Sequence, residues 1–156
     1  MSLSPKPHRL YFLAIGAVAA AAAFVPIPYL ASPQWEVLVV DGSGKPIENM
    51  TVRSVYQNYS TENAGHEEDQ QTDKSGYASF PAHWSSSSAA RRGVFTLLSA
   101  MAGVHASFGQ HAYVFAFGKG MEGSAVSGQY VMDWAGTPAE IKTRIIAKRL
   151  PDLRRQ

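Results

Sequence analysis

The sequence predicts a mainly β domain, a β-sandwich with one accessory helix, behind an apolar N-terminal segment. Three observations carry this expectation. From residue 35 onward, short runs of β-branched and aromatic residues recur between turns rich in Gly, Pro and Asp. One stretch, at about 89–102, switches to helical spacing. Residues 10–30 carry no charge and follow Lys6 and Arg9.

The first element follows from that charge layout. Residues 1–9 form a basic leader with Lys6, His8 and Arg9. Residues 10–30 just reach the roughly 20 apolar residues that a membrane-spanning helix takes. Two readings stay open. For an uncleaved anchor, Tyr11 and Tyr29 lie near the two ends, with Trp35 slightly beyond, where interfacial aromatics belong. For a signal peptide, a cut after Ala31 puts Tyr29 where a small residue is wanted, and a cut within 19–23 leaves Phe24 and Val25 near the new end. Both readings keep the positive leader inside and send the rest outside. The expectation is a single-pass membrane protein with an extracytoplasmic domain, periplasmic or on the cell surface, or a secreted domain if the segment is cleaved. Residues 31–34, with Pro26, Pro28 and Pro33 in and before them, read as a stiff spacer.

The domain itself is expected over 35–150. Residues 35–40 (Trp-Glu-Val-Leu-Val-Val) read as a strand, and 41–46 as a turn. Residues 50–59 are dominated by β-formers. The polar stretch 61–71 reads as an acidic loop entering a short strand; a second turn at 72–76 leads to a strand at 77–80. Ser85, Ser86, Ser87 and Ser88 can cap a helix. From Ala89, the residues Val94, Leu97, Leu98 and Met101 fall at i, i+3, i+4 and i+7, so this face is predicted to lie on the β core, with Gly103 at the C-terminal cap. In the strand 111–117, Tyr113, Phe115 and Phe117 share one face and Val114 and Ala116 the other. Gly118, Gly120 and Gly123 form a flexible connection. Strands are expected within 129–134 and 141–150, and 151–156 is a tail.

Composition narrows the function classes. The 156 residues contain no cysteine, which excludes disulfides, thiolate metal sites and a cysteine nucleophile. Two of the 14 Lys and Arg residues precede the apolar run, so the other twelve balance the 12 acidic residues, all of which follow it. A near-neutral domain lacks the concentrated basic face of a nucleic-acid binder.

The two turns carry a resemblance. Asp41, Gly44 and Pro46 stand in the first, and Asp73 and Gly76 in the second, within Thr-Asp-Lys-Ser-Gly-Tyr-Ala-Ser-Phe. Asp can bond its own turn backbone and Gly can take a positive φ. Over residues 35–80 this arrangement resembles the carboxypeptidase regulatory-like domain, an Ig-like or transthyretin-like β-sandwich. The resemblance implies a structural or interaction role and brings no catalytic residue. The helix at 89–102 departs from the minimal pattern.

No reaction is legible. His105 and His111 are six apart, and His8, His66 and His83 are scattered, without the close pairing a zinc site needs. Glu67, Glu68 and Asp69 read as a solvated acidic loop rather than a calcium site. The serines lack a nucleophile elbow, and Gly118-Lys119-Gly120 lacks the ending of a phosphate loop. Lys148, Arg149, Arg154 and Arg155 read as a solvated basic end. The expected function is therefore non-catalytic, with no metal and no cofactor. The domain would be a membrane-tethered interaction or assembly module with a protein partner. Trp84 and Trp134 support a second reading, a carbohydrate-binding module in which they form an aromatic platform.

Overall fold

The computed structural model describes residues 7–151. Lys6 of the leader and residues 152–156, with Arg154 and Arg155, lie outside the described residues. The chain opens with helix α1 (Pro7–Ala22), followed by strands β1 (Pro26–Ser32), β2 (Gln34–Val40), β3 (Thr51–Asn58), β4 (His66–Gln71), β5 (Tyr77–Phe80) and β6 (His83–Ser88). Helix α2 (Ala89–Ala100) and a 3-10 turn (Gly103–His105) come next. Strands β7 (Gln110–Gly118), β8 (Met121–Ser124), β9 (Val126–Ser127), β10 (Tyr130–Val131), β11 (Glu140–Ile146) and β12 (Lys148–Arg149) complete the described chain. The described residues are mainly β, with two α-helices and open sheets.

Two sheets share one core. A three-stranded sheet has the order β11-β2-β5, and a five-stranded sheet the order β12-β8-β7-β3-β4. Alternate residues of β2 (Trp35, Val37, Val39) and β7 (Ala112, Val114, Ala116) are fully buried, as period-2 alternation dictates. They meet Val52, Ala78, Phe80 and Ile145 in a single apolar cluster. All pairings are antiparallel except β11 with β2, which run parallel from Glu140↔Gln34 to Ile146↔Val40. The expected strand at 141–150 thus supplies two elements. β11 belongs to the three-stranded sheet, and after Ala147 the chain continues as β12 in the other. The strand at 129–134 reduces to β10, with Trp134 bridged to Ala112.

The expected spacer is part of the folded body. β1 pairs antiparallel with β6 in a two-stranded ribbon, from Pro26↔Ser88 to Ser32↔His83. Ala31, Ser32 and Pro33 are buried. Pro26 and Pro28 lack N–H groups, so the ladder to β6 is carried by the alternate residues Ile27 and Tyr29. Gln110 Nε2 donates to the Leu30 carbonyl at 2.7 Å and ties the ribbon to β7. The boundary at residue 35 therefore moves back to 26, and residues 26–30 are strand rather than the end of an apolar helix. Residues 85–88, read as a helix cap, mostly pair with β1; Ser88 alone caps α2, its Oγ accepting from the Arg91 N–H.

Neither helix is buried. The described side chains of α1 are all exposed, and among the described residues no helix is long and apolar enough to cross a membrane. At about 1.5 Å per residue, the 16 residues of α1 span about 24 Å. Helix α2 forms where its spacing predicts, but with the opposite face inward. Val94, Leu97 and Leu98 are more than half exposed, whereas Arg92, Phe95 and Ser99, spaced i, i+3 and i+7, are partly covered. Polar bonds hold it: Arg91 Nε donates to the Thr61 carbonyl at 2.9 Å and Ser99 Oγ to the Tyr59 carbonyl at 3.3 Å. The helix cap is Met101 in a right-handed conformation, and Gly103 (φ +61°) opens the 3-10 turn instead.

Candidate functional site

The two turns between strands are built alike. In the first, Asp41 Oδ1 accepts from the Ser43 N–H (2.8 Å), the Ser43 hydroxyl (2.6 Å) and the Lys45 N–H (3.0 Å). These donors, the Ser43 hydroxyl foremost, hold the carboxyl below the usual carboxylate range. In the second, Asp73 Oδ1 accepts from the N–H groups of Ser75 (2.8 Å) and Tyr77 (3.0 Å). Gly44 and Gly76 close them at φ +86° and +80°. The turns touch. A Cβ on Gly76 would lie 2.8 Å from the Val39 carbonyl oxygen and 2.9 Å from Pro46 Cβ. All five turn residues singled out in the sequence thus fall into one structural unit, and Asp41 and Pro46 also line a cleft of about 610 Å³ with Lys119 and Lys148.

The outer face of the five-stranded sheet carries an aromatic row beside a groove. Cross-strand register lays out its rows. Gln71, Thr51, Phe117, Glu122 and Lys148 form one, and Asp69, Arg53, Phe115 and Ser124 the next. Tyr113, Phe115 and Phe117 stack along β7, with centroids 6.2 and 5.7 Å apart. Arg53 holds Asp69 with two bonds, of 2.7 and 2.9 Å, meets Glu67 at 2.7 Å, and lies 5.4 Å over the Phe117 ring. The Arg53 bond keeps the Asp69 carboxyl below its ordinary range. Beside this row opens a groove of about 740 Å³, lined by Phe115, Phe117, Val126 and Ile146, with Glu122, Arg144 and Lys148 among its charged groups. The β9–β10 hairpin borders it through Val126, and Tyr130 and Val131 stand exposed there. The sequence separated the two faces of β7; it did not bring β8 and β11 beside them.

A polar seam fastens the ribbon to this sheet. The Tyr56 ring is stacked between His66 and His83, at 5.0 and 5.1 Å. His66 Nε2 meets Glu62 at 2.8 Å, and His83 Nε2 meets Glu68 at 2.9 Å. The Tyr29 hydroxyl donates to the other Glu62 oxygen at 2.8 Å. Burial and the neighbouring Glu68 and Glu62 raise the Tyr56 phenol above its usual value. The rings and carboxylates pair with one another, and among the described residues no three His, Asp or Glu side chains are grouped to hold a metal.

The two tryptophans part company. Trp84, on β6, is 69 % exposed, but Trp134 is 2 % exposed and its indole N–H donates to the Pro138 carbonyl at 2.7 Å. A stacking platform needs an open ring face, so Trp134 is a core residue and not part of one. His111 Nδ1 meets Asp133 at 2.7 Å and its Nε2 meets the Phe108 carbonyl at 3.0 Å. Burial opposes its charged form, but these two acceptors outweigh it and raise the pKa above the ordinary histidine value. No family model matches the chain, and no curated protein sequence matches it.

Proposed function

We propose that this chain is a non-catalytic, membrane-tethered β-sandwich module that binds a protein partner on the extracytoplasmic side, a carboxypeptidase regulatory-like domain in type. The observation that carries the reading is the partly exposed aromatic row of β7 beside the 740 Å³ groove. An apolar surface rimmed by Glu122, Arg144 and Lys148 has the mixed character of a protein-binding patch. The twin Asp-Ser-Gly turns and the two sheets around one core support the domain type. The exposed, uncharged stretch of α1 after Arg9 supports the tether, because a helix surface apolar on all sides has no stable place in water.

A photo-crosslinking side chain placed at Tyr113 in the native membrane tests the partner surface. A discrete protein adduct is expected, and it should disappear on Phe115→Asp. No adduct, or the same adduct from a probe at Lys74, overturns the reading. A carbohydrate-binding alternative rests on Trp84 alone. Glycan-array binding that Trp84→Ala abolishes would favour it.

A further inference from the structure

Helix α2 presents its apolar side to solvent and its polar side to the body. Val94, Leu97, Leu98 and Met101 are 56 to 78 % exposed, and Val104, just beyond the helix, is 98 % exposed. Burying this face would remove a sizeable apolar area from water, which is favourable. Its position says what covers it. β1 begins at Pro26, paired with Ser88, the last residue of β6. Both helices therefore leave the same end of the ribbon, α1 before β1 and α2 after β6. A bond of 2.9 Å from the Ala90 N–H to the Ala23 carbonyl pins their roots together. Phe24, Val25 and Ile27 lie at that junction and are also more than half exposed. Charge agrees with position. No Asp or Glu occurs before Glu36 or among residues 74–121, while Arg91 and Arg92 stand in the first turn of α2. Glu62, bonded to Tyr29, sits on the body side of this root, and an apolar face whose own helix carries arginines and no acid suits the surface of an anionic bilayer.

We infer that α2, with the turn through Val104, is a second membrane contact that lies in the lipid interface beside α1. It rests on the tether proposed above and goes beyond it, because it fixes how the domain is held. One apolar segment permits rotation about its axis. Two contacts at one end of the ribbon set the orientation in which the sheet face meets its partner. Binding strength also rises, since the second contact acts at the high local concentration imposed by the first.

The absence of cysteine allows the test. The full chain would carry an environment-sensitive fluorophore on Leu13→Cys, Val104→Cys or Lys74→Cys, reconstituted in vesicles of phosphatidylcholine and phosphatidylglycerol. The expected result is blue-shifted emission and loss of iodide quenching at positions 13 and 104, with neither at 74. Adding Leu97→Glu and Leu98→Glu should return the probe at 104 to water while strand content by circular dichroism is unchanged. A probe at 104 that stays in water while the one at 13 is shielded overturns the second contact and leaves the tether standing. Water exposure at both positions defeats the tether, and the second contact with it. Shielding at 104 without vesicles, with a doubled mass, assigns α2 to a second copy of the chain and overturns the lipid assignment.

Discussion

Thr72 is a small residue with a large structural task. Its hydroxyl donates to the Ile47 carbonyl at 2.7 Å and accepts the Met50 N–H at 2.8 Å, and it is 2 % exposed. Thr72→Val keeps the shape but leaves two backbone groups without this partner. A loss of about 1–3 kcal/mol in urea-unfolding free energy is expected. His111 sets a pH dependence. Both its partners are acceptors, so only the doubly protonated ring donates to both. Its folded pKa is raised, so the stabilisation is fully present below about pH 6.5 and is lost as pH rises through the folded value. Melting temperatures should fall from acid toward alkaline pH across that window, and Asp133→Asn should flatten this fall. Sequence reading reached Asp41, Gly44, Asp73 and Gly76, because their bonds are local. It missed Thr72, and it missed the stacking of His66 and His83 on Tyr56, because those contacts join positions that only the folded topology brings together.

Elements were legible where side-chain alternation was clean. The strands at 35–40, 77–80 and 111–117 appear as read, because each alternates buried and exposed residues against a single core. β1 and β6 escaped notice for a physical reason. A Pro-rich run and a Ser run have no apolar alternation, and each becomes a strand only by pairing with the other. In α2 the spacing located the helix and its apolar face, but amphipathicity names a face without naming what covers it. Gly123 shows the same limit. It was read as flexible, yet a Cβ there would lie 2.6 Å from the Ile146 carbonyl oxygen and 2.8 Å from Ile145 Cγ2. The residue is needed because β8 passes close under the chain where it changes sheets. Gly123→Ala should cost about 1–3 kcal/mol in chemical unfolding, as overpacking against backbone does.

At the scale of the molecule, the body begins at β1 and not at β2. Tyr29, Ala31 and Ser32 are each less than a tenth exposed. A chain starting at residue 26 should therefore unfold in one cooperative thermal transition followed by circular dichroism. A chain starting at residue 35, the boundary suggested by sequence, should lose cooperativity, since it leaves β6 unpaired and uncovers part of the interior. The near balance of charge beyond residue 35 was correctly legible as a sum. Its distribution was not, because the acidic residues of β4 come to flank Arg53 through strand register alone.

The ribbon also decides how the domain responds to being pulled. α1 precedes Pro26 at one end of β1, while the other end of β1 runs on into the buried β2. A load applied at Pro26 and directed along β1 would act along the strand axis. The rungs between β1 and β6 lie across that axis, so they are strained together in shear and not peeled one by one. With α1 as the proposed tether, a pull along β1 would load these rungs together.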